Sequence, residues 1–351
     1  MEEKYTCENC DSEMIFDVAS QALKCQGCGA VIQIKNNSKD ITEHPLTLEA
    51  KQRIRAGEKK SHTMECQGCG ARIEVDAHST ATQCPYCGSR YVLADKQEDV
   101  IIPDGVVPFQ IDKNRVGELF RQWLKSRWLA PGSLKNMYQT DKIQGIYLPY
   151  WTFDAHAEAD YTGRGGRHRT RTVQNSEGKT VTQVYTEWHR VAGHIRHFFD
   201  DILIPATNSL PLEQLEKIAD FDTGQIASYG PEYLSGYNSE CFSVDLETSH
   251  QEARHEMLEY LESMARNEIL SRYDEADSIH IQADFREESF KHVLLPVYST
   301  AYMFKDKVYQ VLVNGQTGDI TGKYPLSPAK IALICAAIAV IVILIILFVI
   351  S

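Results

Sequence analysis

The longest uniform stretch of apolar positions lies near the C-terminal end. Residues 331–350 read IALICAAIAVIVILIILFVI, twenty positions without a charge, a proline or a glycine. At about 1.5 Å per residue, a helix of that length spans about 30 Å, the thickness of a bilayer hydrocarbon core. Its β-branched residues disfavour a helix in water, but lipid offers the backbone no hydrogen-bond partner except itself. The pattern predicts one transmembrane helix over 331–350. Two other segments carry helical periodicity. Within Leu246–Tyr273, the residues Ala253, Met257, Leu261, Ala265, Ile269 and Tyr273 form an i+4 ladder, with Glu252, Glu256, Glu259, Glu262 and Arg266 on the remainder. After Asp112, a natural N-cap, come Val116, Leu119, Phe120, Trp123, Leu124 and Trp128 at helical spacing, halted by Pro131-Gly132. Both tryptophans fit one apolar stripe, and the remaining face holds Lys113, Arg115, Arg121, Lys125 and Arg127. A core helix with a solvated basic face is the favoured reading over a helix lying on an anionic membrane.

Strand patterns fill much of the rest. Thr170–Val173 and Lys179–Tyr185 alternate around Asn175-Ser-Glu-Gly178, which predicts a hairpin. Further strands are expected at His280–Ala283, Val293–Phe304, Val308–Val313 and Asp319–Thr321, with turns at Lys305–Lys307 and Asn314-Gly315. Leu148-Pro-Tyr-Trp151 and Leu295-Pro-Val-Tyr298 echo each other, each placing proline at an apparent strand start. The fold class expected is α+β, an antiparallel sheet with a few packed helices.

Eight of the ten cysteines form two matched sets. Cys7-x2-Cys10 and Cys25-x2-Cys28 are separated by fourteen residues, as are Cys66-x2-Cys69 and Cys84-x2-Cys87, and the second set repeats the first at an offset of 59. Four thiolates on one tetrahedral zinc need two tight knuckles and a returning hairpin, which each set supplies. Gly29, Gly70 and Gly88 follow knuckles, where positive φ turns backbone amides toward sulfur. The expectation is two rubredoxin-like zinc ribbons and two Zn2+ per chain. A disulfide framework is the alternative, which a reducing compartment disfavours. The organisation that follows is ribbon 1 at residues 1–35, a linker at 36–62, ribbon 2 at 63–94, an α+β domain at 105–325 and the transmembrane helix at 331–350. Thr47 to Gly57 reads as a short helix within the linker.

Charge then sets the topology. Lys323 and Lys330 precede the apolar run and no charged side chain follows it, so the lysine side is expected in the cytoplasm. No apolar leader opens the chain, and eight thiolate ligands also need a reducing compartment. The expected location is the cell membrane, single-pass, with the N-terminal domains cytoplasmic and a short C-terminus outside. Formal net charge is −12, and residues 1–95 hold 11 Lys+Arg against 14 Asp+Glu. The basic footprint of duplex DNA binding is missing, so nucleic acid is not an expected partner.

No catalytic constellation emerges. The chain lacks G-x-x-x-x-G-K-[ST], G-x-S-x-G and H-E-x-x-H, and the expectation is a protein that is not an enzyme. His189, His194 and His197 cluster in sequence, but strand parity separates 194 from the other two. Arg164-Gly-Gly-Arg-His-Arg-Thr-Arg171 reads as a solvated loop, with phosphate or lipid headgroups as its alternative ligands. Cys241 and Cys335 stand outside the two sets, the first as a buried thiol and the second within the anchor.

Beside the paired cysteine sets, three segments carry a family resemblance: Ile146-Tyr-Leu-Pro-Tyr-Trp-Thr-Phe153, Leu294-Leu-Pro-Val-Tyr298 and Val311-Leu-Val-Asn-Gly-Gln-Thr-Gly318. With them the chain resembles bacterial TFIIB-type double zinc-ribbon membrane proteins, some of which bear names borrowed from primosomal replication factor Y or helicases. The ATP-binding residues a helicase needs are absent. The resemblance implies a tail-anchored adaptor, often in the company of phage-shock-protein-A-like or flotillin-like (SPFH) proteins, with the eight ribbon cysteines as ligands. The expected function is a cytoplasm-facing scaffold that recruits partner proteins to the bacterial membrane, in envelope-stress or membrane-organisation complexes. The alternative is a membrane-tethered, replication-associated nucleic-acid-binding protein without ATPase activity.

Overall fold

The computed structural model describes residues 5–34, 41–47, 59–65, 72–75, 81–83, 90–92, 96–100, 102–132, 143–174, 178–305 and 307–350. The N-terminal unit is a three-stranded antiparallel sheet of β1 (Met14–Asp17), β2 (Ala22–Cys25) and β3 (Val31–Gln33). Two-residue strand β4 (His44–Pro45) follows, then β5 (Lys59–Glu65), β6 (Arg72–Val75), β7 (Ala81–Gln83), β8 (Arg90–Val92) and β9 (Lys96–Val100). The pairing of β7 with β8 is Ala81↔Val92, Thr82↔Tyr91 and Gln83↔Arg90. That of β2 with β3 is Ala22↔Gln33, Leu23↔Ile32 and Lys24↔Val31. Each pair is the other displaced by 59 residues, the offset of the two cysteine sets. The duplication read from cysteine spacing therefore extends to strand register.

The central region is α+β. In chain order it contains β10 (Gly105–Val106), α1 (Lys113–Ser126), β11 (Gln144–Gln174), β12 (Thr180–Pro205), α2 (Leu212–Glu216), β13 (Ala227–Ser228), β14 (Asn238–Ser239), α3 (Leu246–Leu270), β15 (Glu275–Phe304), β16 (Lys307–Asn314) and β17 (Ile320–Gly322). α4 (Pro328–Ile350) ends it. β11 has 31 residues and runs antiparallel to β12 on one side and β15 on the other. At ~3.3 Å per residue it is on the order of 100 Å long. β15 has 30 residues and merges the strands expected separately at His280–Ala283 and Val293–Phe304.

The N-terminal third of β11 is buried on both faces, which is why Ile146–Phe153 reads as an unbroken apolar run. One face holds Ile146, Leu148 and Tyr150 with Val293, Leu295 and Val297, and the other holds Tyr147 and Tyr298 with Phe109. Farther along, Ala155, Ala157, Ala159 and Tyr161 meet Ala253, Met257, Leu261, Ala265 and Ile269 of α3, the ladder seen in the sequence. α3 opens on Asp245, whose carboxylate accepts the Thr248 amide at 2.8 Å. α1 opens likewise on Asp112, which accepts the Arg115 amide at 2.8 Å.

Several expectations are corrected. Pro149 and Pro296 lie inside β11 and β15 rather than at strand starts. The Pro149 carbonyl accepts Ala206 N, and the Pro296 carbonyl accepts Gly315 N. A strand residue points its amide and carbonyl to the same side. Each missing amide therefore faces a place where the neighbouring strand, β12 or β16, has ended. Arg164–Arg171 is not a loop but continues β11, paired with β12 as far as Gln174↔Thr180. Its Gly165 is required by packing: a Cβ there would lie 2.4 Å from the Tyr273 ring. Trp128 leaves the α1 stripe, being 62% exposed beyond the helix end while Trp123 is buried. Pro328 is the first residue of α4, three residues ahead of the expected start, where its missing amide is harmless.

Within the stretch 36–62, residues 41–47 are held on the central domain. β4 pairs with Ser289 and Phe290 of β15, and His44 Nε2 lies 2.7 Å from Asp104 Oδ1. Apart from Thr47, the short helix expected up to Gly57 lies outside the described residues.

Candidate metal centre

The hairpin β1–β2 brings two knuckles together at one end of the N-terminal unit. The Cys7 carbonyl accepts Asp11 N at 2.9 Å, and the Cys25 carbonyl accepts Gly29 N at 3.1 Å. Just outside each turn, Cys7 N donates to Ser12 O at 2.9 Å and Cys25 N donates to Ala30 O at 2.8 Å. The residue closing each turn is left-handed, Asp11 at φ 55° and Gly29 at φ 76°. Glycine was expected there for the second knuckle, and aspartate serves the first because it tolerates that region. At the second knuckle the Gly27 and Cys28 amides point at Cys25 Sγ, at 3.3 and 3.4 Å.

All four ligand sulfurs, from Cys7, Cys10, Cys25 and Cys28, lie within 4.8 Å of one another. Cys7 Sγ is 3.5 Å from Cys28 Sγ and Cys10 Sγ is 3.4 Å from Cys25 Sγ, well beyond a bond of about 2.05 Å. These are free thiols, not a disulfide pair. Cys7 and Cys25 are buried with Met14 and Leu23, while Cys10 and Cys28 face solvent. Hydrogen bonds from the Ser12 side chain and amide lower Cys10 to about 6. Amides of Cys28 and Gly27 lower Cys25. The Ala30 amide favours the Cys28 thiolate too, but the sulfurs of Cys10, Cys7 and Cys25 push Cys28 up to about 12. Four thiolates at this spacing repel one another, and a cation among them is what lets all four ionise. The donor set fits a metal ion. Among the described residues this is the one such group; Cys66, Cys69, Cys84 and Cys87 lie outside them, flanked in sequence by β5–β8.

The N-terminal unit is not a free appendage. Phe16 N donates to Ser235 O at 3.0 Å, Ser235 Oγ donates to Met14 O at 2.7 Å, and Gln21 Nε2 donates to Phe109 O at 2.8 Å. The Phe16 ring is buried 5.5 Å from Tyr233 and 6.3 Å from Tyr237. Nothing in the one-dimensional pattern announces this seam, because Phe16 reads simply as a strand residue.

The three clustered histidines do not converge. His194 Nδ1 lies 2.8 Å from Asp160, the His189 ring sits tilted 5.9 Å from that of Tyr273, and His197 packs between Phe199 and Tyr260. Cys335 is in α4. Three polar groups escaped the sequence reading, Lys291 and His292 buried and Glu288 half-buried. Lys291 pairs with Asp201 at 2.7 Å and Glu43 at 3.1 Å. Burial raises Glu288, yet His250 and Arg254 hold it down at about 2. His292 is buried against Trp151 and Phe242, with neither ring nitrogen bonded to any of the described residues. The partners of Lys291 and Glu288 lie 34 to 248 residues away along the chain, so no local motif marks them.

A four-thiol cluster that could hold a metal ion, docked on an α+β domain and followed by a helix long and apolar enough to cross a membrane, defines the class of this chain. The chain is similar to the uncharacterized protein YdjG of Bacillus subtilis (strain 168), 28% identical over 328 residues that span 93% of this chain and 92% of that protein. No protein-family model matches the chain, and no solved structure matches it.

Proposed function

We propose that this chain is a membrane-anchored zinc-ribbon adaptor that faces the cytoplasm and holds partner proteins at the bacterial membrane. The carrying observation is mechanical continuity. The cysteine unit is bonded to the α+β domain through Phe16, Ser235 and Gln21, and that domain is bonded to the first turn of α4 through Lys330. A ribbon on this path is a fixed platform at the bilayer rather than a flexible tether.

Zinc is the metal. Bonds of about 2.3 Å to tetrahedral sulfurs put those sulfurs ~3.8 Å apart, close to the observed spacing, and an all-thiolate set suits zinc. The shared register of β2–β3 and β7–β8 supports a second zinc ribbon of TFIIB type, held by Cys66, Cys69, Cys84 and Cys87. Lys323 before α4 and Lys330 in its first turn support the cytoplasmic orientation, as does the need of thiolates for a reducing compartment. The partners proposed are phage-shock-protein-A-like or flotillin-like proteins. The test is affinity purification of the full chain from detergent-solubilised membranes, beside a Cys7→Ser variant. Such partners should be retained by the parent and lost from the variant. Retention on DNA with a steep salt dependence, and no protein partner, would favour the nucleic-acid alternative instead.

A further inference from the structure

Where the domain meets α4, the contacts are close. Lys330 is the last charge before the apolar run. Its ammonium donates to the Trp128 carbonyl at 2.6 Å and to the Ala130 carbonyl at 2.7 Å. Ser327 N donates to Leu129 O at 2.9 Å. Residues 128–130 are thus held within one lysine side chain of the helix's first turn. The segment is braced from the domain side as well: the Arg127 guanidinium stacks over Trp123 at 5.1 Å and Tyr324 at 5.7 Å, and Tyr324 meets Trp123 edge-on.

This brace leaves one large apolar group outside. Trp128 is 62% exposed, whereas Trp123 and Trp151 are buried, and Leu326 beside the helix start is 51% exposed. A fixed, exposed indole next to an exposed leucine is poorly suited to water. It suits the boundary between headgroups and acyl chains, where the ring is buried and its N–H stays hydrated. Charge agrees. Residues 119–132 and 320–330 together carry Arg121, Lys125, Arg127, Lys323 and Lys330 and no carboxylate; Glu213 of α2 acts on Lys323, which still leaves this end positive although the whole chain is −12. Positive charge gathered at the membrane-proximal end of an acidic protein matches anionic lipid headgroups.

We propose that the α+β domain makes a second contact with the bilayer beside α4, with Trp128 and Leu326 inserted at the interface and the basic end of α1 against anionic headgroups. The inference rests on reading α4 as the membrane anchor. Its consequence is that the domain lies on the membrane in one orientation, with its docked ribbon at a fixed attitude.

The experiment reconstitutes the full chain into phosphatidylcholine vesicles, with and without phosphatidylglycerol, using lipids brominated at the top of the acyl chain. Tryptophan quenching is read for the parent, Trp128→Phe and Trp188→Phe. Most of the quenching should vanish in Trp128→Phe and persist in Trp188→Phe, and it should be stronger with phosphatidylglycerol. Flotation after alkaline carbonate tests the anchor separately. A chain that floats while Trp128→Phe leaves quenching unchanged overturns the second contact and spares the anchor. A chain that does not float overturns both. Equal quenching with and without phosphatidylglycerol overturns the electrostatic half of the contact.

Discussion

His292 lies wholly inside the domain and should make this protein acid-labile in a window that one substitution removes. Burial alone lowers its imidazole from 6.5 to about 4, because protonation would place a charge against Trp151 and Phe242 with no partner among the described residues. Between those two values the unfolded chain binds a proton that the folded chain refuses. Stability from this residue is therefore full above about pH 6.5 and lost as pH falls toward 4. At about 1.4 kcal/mol per pH unit, the loss amounts to about 3 kcal/mol, a large share of a typical domain's stability. His292→Phe keeps the ring and cannot take the proton. Acid also releases metal from thiolates, so the informative quantity is the difference between the two chains. Denaturant unfolding in detergent, followed by near-ultraviolet circular dichroism at pH 7, 5.5 and 4, supplies it. The variant should be at least as stable at pH 7, since two unpaired ring nitrogens are gone, and should gain about 3 kcal/mol over the parent by pH 4. Parallel pH profiles for the two chains would refute the reasoning.

Three further expectations follow from single contacts. Glu288→Gln should cost about 2 kcal/mol at neutral pH, because the carboxylate, held at about 2 by His250 and Arg254, gives stability that is present above its usual value of 4.5 and disappears as pH falls through 2; an unchanged urea midpoint at pH 7 would contradict this. Gly165→Leu should lower stability by about 1–3 kcal/mol, since its Cβ would lie 2.4 Å from the Tyr273 ring and push the end of α3 off the sheet; a melting temperature equal to the parent's would speak against that packing. Phe16→Ala should cost about 3–5 kcal/mol and release the N-terminal unit to limited proteolysis while the central domain persists; equal cleavage rates would mean the seam is not what holds the unit.

What could be read in the sequence was what repeats locally. The α3 ladder, the Asp112 cap, the Asn314 turn and the four-cysteine spacing each occupy a short window with its own periodicity, and each stands where it was expected. What could not be read depends on distant partners. Arg164–Arg171 looks like a loop because glycine and arginine are poor strand formers, yet Gly165 makes room for Tyr273, just beyond α3. Trp128 fits a helical stripe on paper, but α1 ends at Ser126 and Lys330 captures the carbonyls beyond it. Pro149 and Pro296 read as strand starts in the sequence, but each marks the end of a neighbouring strand. The docking of the cysteine unit through Phe16 was hidden for the same reason. The cluster of Cys7, Cys10, Cys25 and Cys28 was the most legible part, because metal-ligand chemistry fixes residue type and spacing together.

The central claim is a paired zinc platform fixed at the membrane, and metal content tests it most directly. Elemental analysis of the freshly purified full chain should find two zinc ions per protein, and Cys7→Ser should retain one, held by the second set of cysteines. Iron in place of zinc, no bound metal, or a parent holding a single ion that Cys7→Ser leaves in place would contradict the account.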